Sequence, residues 1–268
     1  MPPIVTFLSD FGLADPYVAA VKGVLLSRCS GLTIVDVTHT VAPQDIFAGA
    51  MLLREACCTF PAGTLHLAVV DPGVGTERAA LVARTDRFTF VGPDNGLLAP
   101  ALDAETGVQV FRIKPNWEVP SATFHARDVF APAAGRLLAG ESGSDFLEAA
   151  GGYQHLDVPA PRELPPREGE ASRWEGVVLR IDGFGNLITN LPRQDFGPFF
   201  ERHAFELSAP GGETLTRLAP TYQDAPHGAA VAVWGSAGFL ELSVREYSAA
   251  GLLGIHEAGE RFEIAFLR

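Results

Sequence analysis

Cysteine, basic residues and long apolar stretches are all scarce in this chain of 268 residues. Its cysteines are Cys29, Cys57 and Cys58, with no Cys-x-x-Cys pair, which argues against a disulfide framework and a cysteine-rich zinc site. No apolar run approaches the roughly 18 residues that a membrane-spanning helix needs. The first residues lack the basic and apolar regions of a secretory signal, so we expect a soluble cytoplasmic protein that binds no membrane.

The shortage of basic residues also restricts the class of partner. There are 20 Lys and Arg residues against 32 Asp and Glu, which gives a formal net charge of −12. Binding to a nucleic-acid backbone calls for a basic surface, so we expect no nucleic-acid partner. A cationic ligand is compatible with this charge, although acidity often serves only solubility. Hydrophobic residues make up 47% of the chain, enough to build a sizeable core and to exclude disorder.

The first half of the chain alternates strand-like and helix-like patterns. Apolar residues at helical spacing predict two helices, one through Tyr17, Val21, Val24 and Leu25 and one through Ile46, Ala50, Leu53 and Cys57. Short apolar or β-branched runs predict strands at 4–8, 33–37, 65–70, 80–83 and 88–91. This alternation is typical of an α/β domain with a parallel sheet and crossover helices.

The second half of the chain has a different pattern of residue types. A charged, proline-rich stretch predicts a linker at 161–172, which separates an α/β domain at 1–160 from a smaller domain at 173–268. Short β-like runs separated by glycine and proline turns follow it, and helical periodicity is weak. We therefore expect an all-β, barrel-like second domain.

Three predicted strands end near an acidic residue, namely Asp10, Asp36 and Asp71. Ligands of parallel sheets collect beyond the carboxyl ends of the strands, so these acids are candidates for a binding site. A carboxylate accepts two hydroxyl hydrogen bonds and thus suits a vicinal diol. The alternative is that each aspartate only caps a turn or a helix.

The strongest candidate for a ligand-binding loop is the stretch Asp71-Pro-Gly-Val-Gly-Thr-Glu-Arg78. Its two glycines would let a ligand approach the backbone closely. It is neither a dinucleotide fingerprint, since Arg78 stands where the third glycine belongs, nor a phosphate-binding loop, since no Gly-Lys-Ser/Thr follows. The guanidinium of Arg78 can hold an oxyanion or lower the pKa of a bound water. An ion pair with Asp71 that only pins the loop is the alternative.

Two further segments carry candidate residues. His125 lies just before a predicted helix for which Asp128 is a candidate cap, and it is either a catalytic residue or an ordinary loop histidine. In the second domain, Asp182 and Asn186 suit an ammonium and a carboxylate, and Phe184 suits stacking on a flat ring. A glycine-rich turn explains that segment equally, and Ser236-Ala-Gly-Phe-Leu-Glu241 has the same ambiguity.

A metal site is not expected. Asp10, Asp36, Asp71 and Asp94 resemble the acids of a metal phosphatase, but the His-x-His and Asp-x-Asp spacings that usually accompany them do not occur.

Taken together, seven segments resemble the S-adenosylmethionine (SAM) hydroxide adenosyltransferase family, which is related to fluorinases and chlorinases. They are SDFGLADPYVAAVKGV (9–24), DVTHTVAPQDI (36–46), FPAGTLHLAVVDPGVGTER (60–78), VGPDNGLL (91–98), TFHARDVFAPAA (123–134), DGFGNLITN (182–190) and GSAGFLEL (235–242). The resemblance implies hydrolysis of SAM to adenosine and L-methionine without a metal or other cofactor, in some members with preference for the R diastereomer at sulfur. It also implies a homotrimer that binds its ligand between the N-terminal domain of one subunit and the C-terminal domain of the next.

The resemblance also implies roles for individual residues. Asp71, Arg78 and His125 match the hydrolase triad, which the halogenating relatives lack. In that reading Asp71 and His125 orient a water molecule and accept its proton, while Arg78 stabilises hydroxide character or holds Asp71. The expected substrate contacts are Asp10 at the ribose diol, Val244 near the adenine, and Asn186, Ser236, Glu241, Asp182 and Phe184 at the nucleoside or methionine end.

Two departures from the family pattern lie close to these residues: Ala126 stands where glycine is usual and Ser9 where threonine is usual. A protein that binds a nucleoside or SAM without catalysis, and a halide-dependent SAM transferase, are the alternative functions. Another 5′-substituted adenosine is the alternative substrate.

Overall fold

The computed structural model describes residues 2–268 and has mixed α/β architecture with two sheets. The contacts divide the chain into two compact units, the first ending at Asp157 and the second running from Val158 to Arg268. Within the described residues, no helix is both long enough and apolar enough to span a bilayer.

The first unit is built on a seven-stranded sheet with the order β2-β1-β3-β5-β4-β6-β7. Its strands are β1 (Ile4–Ser9), β2 (Thr33–Thr38), β3 (Leu65–Val69), β4 (Ala80–Arg84), β5 (Thr89–Pro93), β6 (Gln109–Ile113) and β7 (Leu147–Ala149). Its helices are α1 (Tyr17–Arg28), α2 (Ile46–Cys57), α3 (Ala99–Leu102) and α4 (Ala131–Leu138), and a wide π-helical turn, Ala126–Phe130, precedes α4. The five predicted strands and two predicted helices are confirmed within a few residues.

The prediction of a parallel sheet holds for only half of this sheet. Strands β2, β1, β3 and β5 run parallel, whereas β4, β6 and β7 pair in antiparallel fashion. The physical reason is the short turn after β4, where Thr85 N–H donates to Phe88 O at 2.9 Å. A turn of this length joins only antiparallel strands. The chain therefore leaves β3, passes over the end of β5, and enters β4 from the same edge of the sheet.

Apolar residues of β1 alternate between two core clusters, because successive side chains of a strand point to opposite faces. Phe7 packs with α1 and α4 residues on one face, and Leu8 packs with α2 residues on the other. In α1 the buried residues are Val18, Val21 and Leu25, whereas Tyr17, which shares their helical spacing, is not buried. Tyr17 is 46% exposed.

The second unit carries a nine-stranded sheet that curls into a half-barrel. Its strands are β8 (Arg162–Leu164), β9 (Glu170–Ile181), β10 (Leu187–Pro192), β11 (Phe205–Ser208), β12 (Thr214–Leu215), β13 (Leu218–Ala219), β14 (Ala230–Trp234), β15 (Phe239–Val244) and β16 (Arg261–Leu267). Its order is β12-β11-β16-β9-β10-β15-β14-β13, with β8 added beside β9. The segment 161–172 thus contains β8 and the first residues of β9.

The expectation of an all-β second unit is wrong in one respect, because two helices belong to it: α5 (Arg193–Arg202) and α6 (Ala249–Leu253). Three phenylalanines at helical spacing, Phe196, Phe199 and Phe200, pack α5 against the core cluster of this unit. Their i, i+3, i+4 spacing is typical of a helix. The neighbouring segments have strand-like patterns, and for that reason the helix was not predicted.

His66, the second residue of β3, is a buried titratable group at the end of the strand opposite its carboxyl end. Its ring is 1% exposed and lies against Phe60, Phe88 and Phe90, and its Nδ1 forms a hydrogen bond with Thr6 Oγ1 at 2.8 Å. Burial lowers its pKa from 6.5 to about 4, because the apolar surroundings penalise the charged form. The folded protein therefore resists a proton that the unfolded chain accepts.

We predict that His66 makes folding stability fall as the pH falls from 6.5 towards 4, with full stability above that window. The shift corresponds to a loss of about 3 kcal/mol across the window. His66→Asn retains an amide partner for Thr6 but cannot titrate, so its free energy of urea unfolding should fall less over the same range. His256→Asn, at an exposed histidine, is the control. Equal pH slopes for the wild type and His66→Asn would contradict the prediction.

Candidate active site

Two of the three strand-end acids come together at one cavity. Strands β1 and β3 are parallel neighbours, so the residues after their carboxyl ends meet at one edge of the sheet. Asp10 and Asp71 both line a cavity of about 400 Å³ at this edge. Asp36 does not line it: this residue lies inside β2 rather than after its end, and its carboxylate is engaged by Lys22 Nζ at 2.6 Å and lies 3.0 Å from His39 Nε2.

The guanidinium of Arg78 joins Asp71 to His125. Its Nε donates to Asp71 Oδ1 at 2.7 Å, and its Nη2 donates both to Asp71 Oδ2 and, at 2.9 Å, to His125 Nδ1. Its Nη1 donates to the carbonyl of Ala79 at 3.2 Å. The side chains of Arg78 and Asp71 are only 10% and 5% exposed. The ion-pair alternative therefore describes a real contact, but the same guanidinium also holds the histidine.

The loop from Asp71 to Arg78 reaches His125 because Gly75 permits a close approach. Gly75 has a φ of +79°, and a Cβ on it would lie 2.9 Å from the carbonyl oxygen of Ala122. Only glycine adopts this backbone conformation at no steric cost and leaves room for the neighbouring chain. The loop that precedes His125 can therefore pack directly on the loop that carries Arg78.

His125 sits immediately before the π-helical turn that leads into α4. Asp128, expected as a helix cap, does not cap the helix but ties the loop together from within that turn. Its carboxylate accepts from the backbone N–H of Ser121 at 3.1 Å and from Arg127 at 2.7 and 2.8 Å. Ala126, where the family pattern has glycine, is buried at the start of the turn.

The contact with Arg78 determines the protonation of His125. A guanidinium can only donate, so Nδ1 must accept, and the neutral imidazole then carries its proton on Nε2. Burial and the Arg78 cation lower the pKa of His125, while the Asp71 and Asp128 carboxylates act in the opposite direction. The ring is therefore neutral at physiological pH and offers an N–H donor at Nε2.

The cavity wall includes residues that the sequence patterns did not single out. Gln44 lines it with a φ of +68°, unusual for a residue with a side chain, and its N–H donates to Asp10 Oδ2 at 2.9 Å. Phe11, Tyr17 and Phe124 also line it. Nothing in the residue types of Pro43-Gln44-Asp45 predicts this backbone conformation. The aromatic residues could have been predicted, because Phe11 and Phe124 are the sequence neighbours of the candidate residues Asp10 and His125.

In the second unit, Asp182 and Asn186 form one turn. The Asp182 carboxylate accepts from the backbone N–H groups of Phe184 and Asn186 at 2.8 and 2.9 Å, and from Asn186 Nδ2 at 2.9 Å. The turn interpretation therefore accounts for part of this motif. It leaves the ring of Phe184 82% exposed, which is uncommon for an aromatic side chain and consistent with a stacking surface.

The other predicted residues of this unit lie on or beside β15. Glu241 is buried in β15 and accepts from the Tyr222 hydroxyl at 2.8 Å; burial and this carboxylate raise the pKa of Tyr222 to about 12. Ser236 is exposed in the turn before β15. Val244, the last residue of β15, lines a cavity of about 470 Å³ together with His227, Gly228, Tyr247, Ser248, Gly251 and Leu252.

An α/β unit that holds a carboxylate, a guanidinium and an imidazole at its strand ends, beside a cavity within the usual size range of small-molecule sites, is typical of an enzyme that activates a small nucleophile. The chain belongs to the SAM hydroxide adenosyltransferase family. The N-terminal domain of that family matches residues 5–146, and the C-terminal domain matches residues 176–261.

Individual relatives agree with this assignment. A Thermus thermophilus protein named (R)-S-adenosyl-L-methionine hydrolase is 43% identical over 263 residues, which cover 94% of this chain and 96% of that protein. A fluorinase from an Actinoplanes species is 28% identical over 272 residues, which cover 90% of each chain. The crystal structure of an uncharacterized conserved protein from Thermotoga maritima superimposes with a TM-score of 0.86 at 32% identity, covering 97% of this chain and 99% of that one.

We predict that Arg78→Gln raises the pKa of His125, because the variant removes the cation that disfavours imidazolium and leaves the Asp71 carboxylate in place. An NMR titration of the His125 Cε1–H resonance measures it. Arg112→Gln removes an exposed cation that lines a second cavity beside Arg78 and His125 without contacting the imidazole, and it serves as the matched control. An unchanged pKa of His125 in Arg78→Gln would contradict the contact between the Arg78 guanidinium and the imidazole.

Proposed function

We propose that this protein hydrolyses (R)-S-adenosyl-L-methionine to adenosine and L-methionine. The observation that carries the proposal is the Arg78 guanidinium holding Asp71 and His125 at the edge of a cavity that also contains Asp10. Each of these residues lies within the stretch that matches the N-terminal domain of the family. Relatives at 33–43% identity carry the name of this hydrolase, whereas the fluorinases are more distant.

The chemistry requires a nucleophile more than an acid. Water oxygen forms a bond to C5′ of the ribose while the C5′–S bond breaks, and the electron pair of that bond goes to sulfur. Methionine leaves as a neutral thioether, so the leaving group needs no proton. The protein's contributions are to hold water in line with the C5′–S bond and to take up the proton that the water loses.

The contacts of the triad support a division of roles. We assign proton acceptance to Asp71, since each of its oxygens keeps a lone pair beyond the one used by Arg78. His125 then donates its Nε2–H to the water oxygen and orients it, rather than sharing the task of base. Arg78 is a positioning residue, because its hydrogen bonds point at Asp71, His125 and the Ala79 carbonyl.

The remaining assignments follow from the family resemblance. Asp10 would hold the ribose diol, with its position supported by the hydrogen bond from Gln44. Asn186, Asp182, Phe184, Ser236, Glu241 and Val244 would contact the nucleoside or the methionine end. We further propose a homotrimeric protein that acts in the cytoplasm and uses neither a metal nor another cofactor.

The triad is also what distinguishes this function from its alternatives. A protein that only binds a nucleoside needs Asp10 and Asn186 but has no use for a buried Asp71–Arg78–His125 set. A halide-dependent transferase takes an anion as nucleophile and needs no base for it. The chain's triad therefore favours water as the nucleophile.

Incubation of the purified protein with SAM of known R/S composition in ¹⁸O-labelled water tests the reaction. We expect methionine release, adenosine labelled at its 5′-oxygen, and selective loss of the R diastereomer. Added chloride or fluoride should give no 5′-halogenated nucleoside. Intact SAM together with co-purifying adenosine would overturn the proposal in favour of a binding protein, and unlabelled adenosine would exclude attack of water at C5′.

Variants of the triad test the division of roles. Asp71→Asn should lower kcat by about 10²–10⁴-fold, the usual contribution of a positioned base. His125→Gln keeps an amide N–H near the position of Nε2, so it should retain clearly more activity than His125→Ala. Binding of adenosine, measured by calorimetry, is the control for folding. Equal losses in the two His125 variants would contradict the donor role.

A further inference from the structure

Three aromatic rings of the 400 Å³ cavity form a mutual edge-to-face cluster. Tyr17 and Phe124 have ring centroids 5.3 Å apart with an interplanar angle of 82°, and Phe11 lies 6.1 Å from Tyr17 at 65° and 6.0 Å from Phe124 at 73°. Because each ring also lines the cavity, the three together form a continuous aromatic surface on its wall.

The cavity wall beside these rings carries more acidic than basic groups. Outside that lining, the guanidinium of Arg127 lies over Phe124, 4.9 Å from the ring centre, and is paired with Asp128. Among the described residues that line the cavity, Asp10 and Asp71 are acidic, and His125 is the one basic residue. Burial and Arg78 lower the pKa of His125, so the ring adds no positive charge at physiological pH. Arg78 lines the second cavity instead, with its guanidinium turned to Asp71 and His125.

We propose that Phe11, Tyr17 and Phe124 recognise the positive charge of the sulfonium group and thereby select the charged substrate over neutral thioethers. This inference rests on the proposed function. The face of an aromatic ring is the negative end of its quadrupole and attracts a cation held within about 6 Å of the ring centre. The carboxylate of Asp10 reinforces that preference, whereas a neutral sulfide of the same shape gains only apolar contact.

The selection has a consequence for the reaction cycle. Cleavage of the C5′–S bond removes the charge at sulfur, so the attraction to the rings ends in the same step that forms the products. Substrate is thus held more strongly than products that fill the same space. The competing interpretation is that the rings stack on the adenine, and adenine is common to charged and neutral ligands.

A comparison of two ligands that differ only at sulfur separates the interpretations. S-adenosyl-L-homocysteine lacks the methyl group and hence the charge of SAM. For Tyr17→Leu and Phe124→Leu we expect KM for SAM to rise roughly 2- to 30-fold, the range of a cation–π contact, while Ki for S-adenosyl-L-homocysteine changes little. Leucine preserves apolar contact, Tyr17→Phe preserves the ring, and Leu26→Ala changes an exposed residue of the same helix as a control.

The outcomes are distinct. An equal rise of KM and Ki would show that the rings act through apolar contact or adenine stacking, and it would overturn the inference while leaving hydrolysis intact. A rise in Tyr17→Phe as large as in Tyr17→Leu would assign the effect to the hydroxyl and would also overturn it. Absence of SAM turnover by the wild-type protein would refute the proposed function itself.

Discussion

The candidate site depends above all on one guanidinium with several partners. Arg78 donates to both oxygens of Asp71, to the ring of His125 and to the neighbouring carbonyl of Ala79. Because arginine offers its donors in a rigid plane, this set of contacts fixes the two other side chains relative to each other as well as to the loop. It also decides which imidazole nitrogen carries the proton. A lysine at this position would supply the charge without the geometry.

The sequence was informative where residue type and spacing carry the chemistry. The apolar runs located the main strands of the first unit, and the acids after β1 and β3 pointed to the edge where the cavity lies. The same rule failed for Asp36, because this residue lies inside β2 rather than after its end, and its carboxylate is engaged by Lys22 of α1 and by His39, three residues further on. Tyr17 shares the helical spacing of Val21 and Leu25, yet the structure leaves its ring half-exposed at the cavity.

Features that depend on backbone conformation or on long-range packing could not be predicted from the sequence. The left-handed backbone of Gln44 and the packing of Gly75 on Ala122 are set by tertiary contacts, not by local propensity. The antiparallel half of the first sheet follows from the short gap between the strands predicted at 80–83 and 88–91, so its orientation could have been inferred from the sequence. Helix α5 was hidden among strand-like runs, although its three phenylalanines repeat with helical spacing.

The path of the chain between β3 and β4 has a further effect on the energetics of binding. Because β5 lies between these strands, the loop that bears Asp71 and Arg78 is anchored in the sheet at two points about 10 Å apart, two strand spacings. The ion pair between Arg78 and Asp71 and the close packing of Gly75 on Ala122 hold this loop from within. Its conformational entropy is lost when the chain folds, so a ligand spends none of its binding free energy on ordering the reactive groups. Preorganisation of this kind favours chemistry on a substrate that arrives in low concentration.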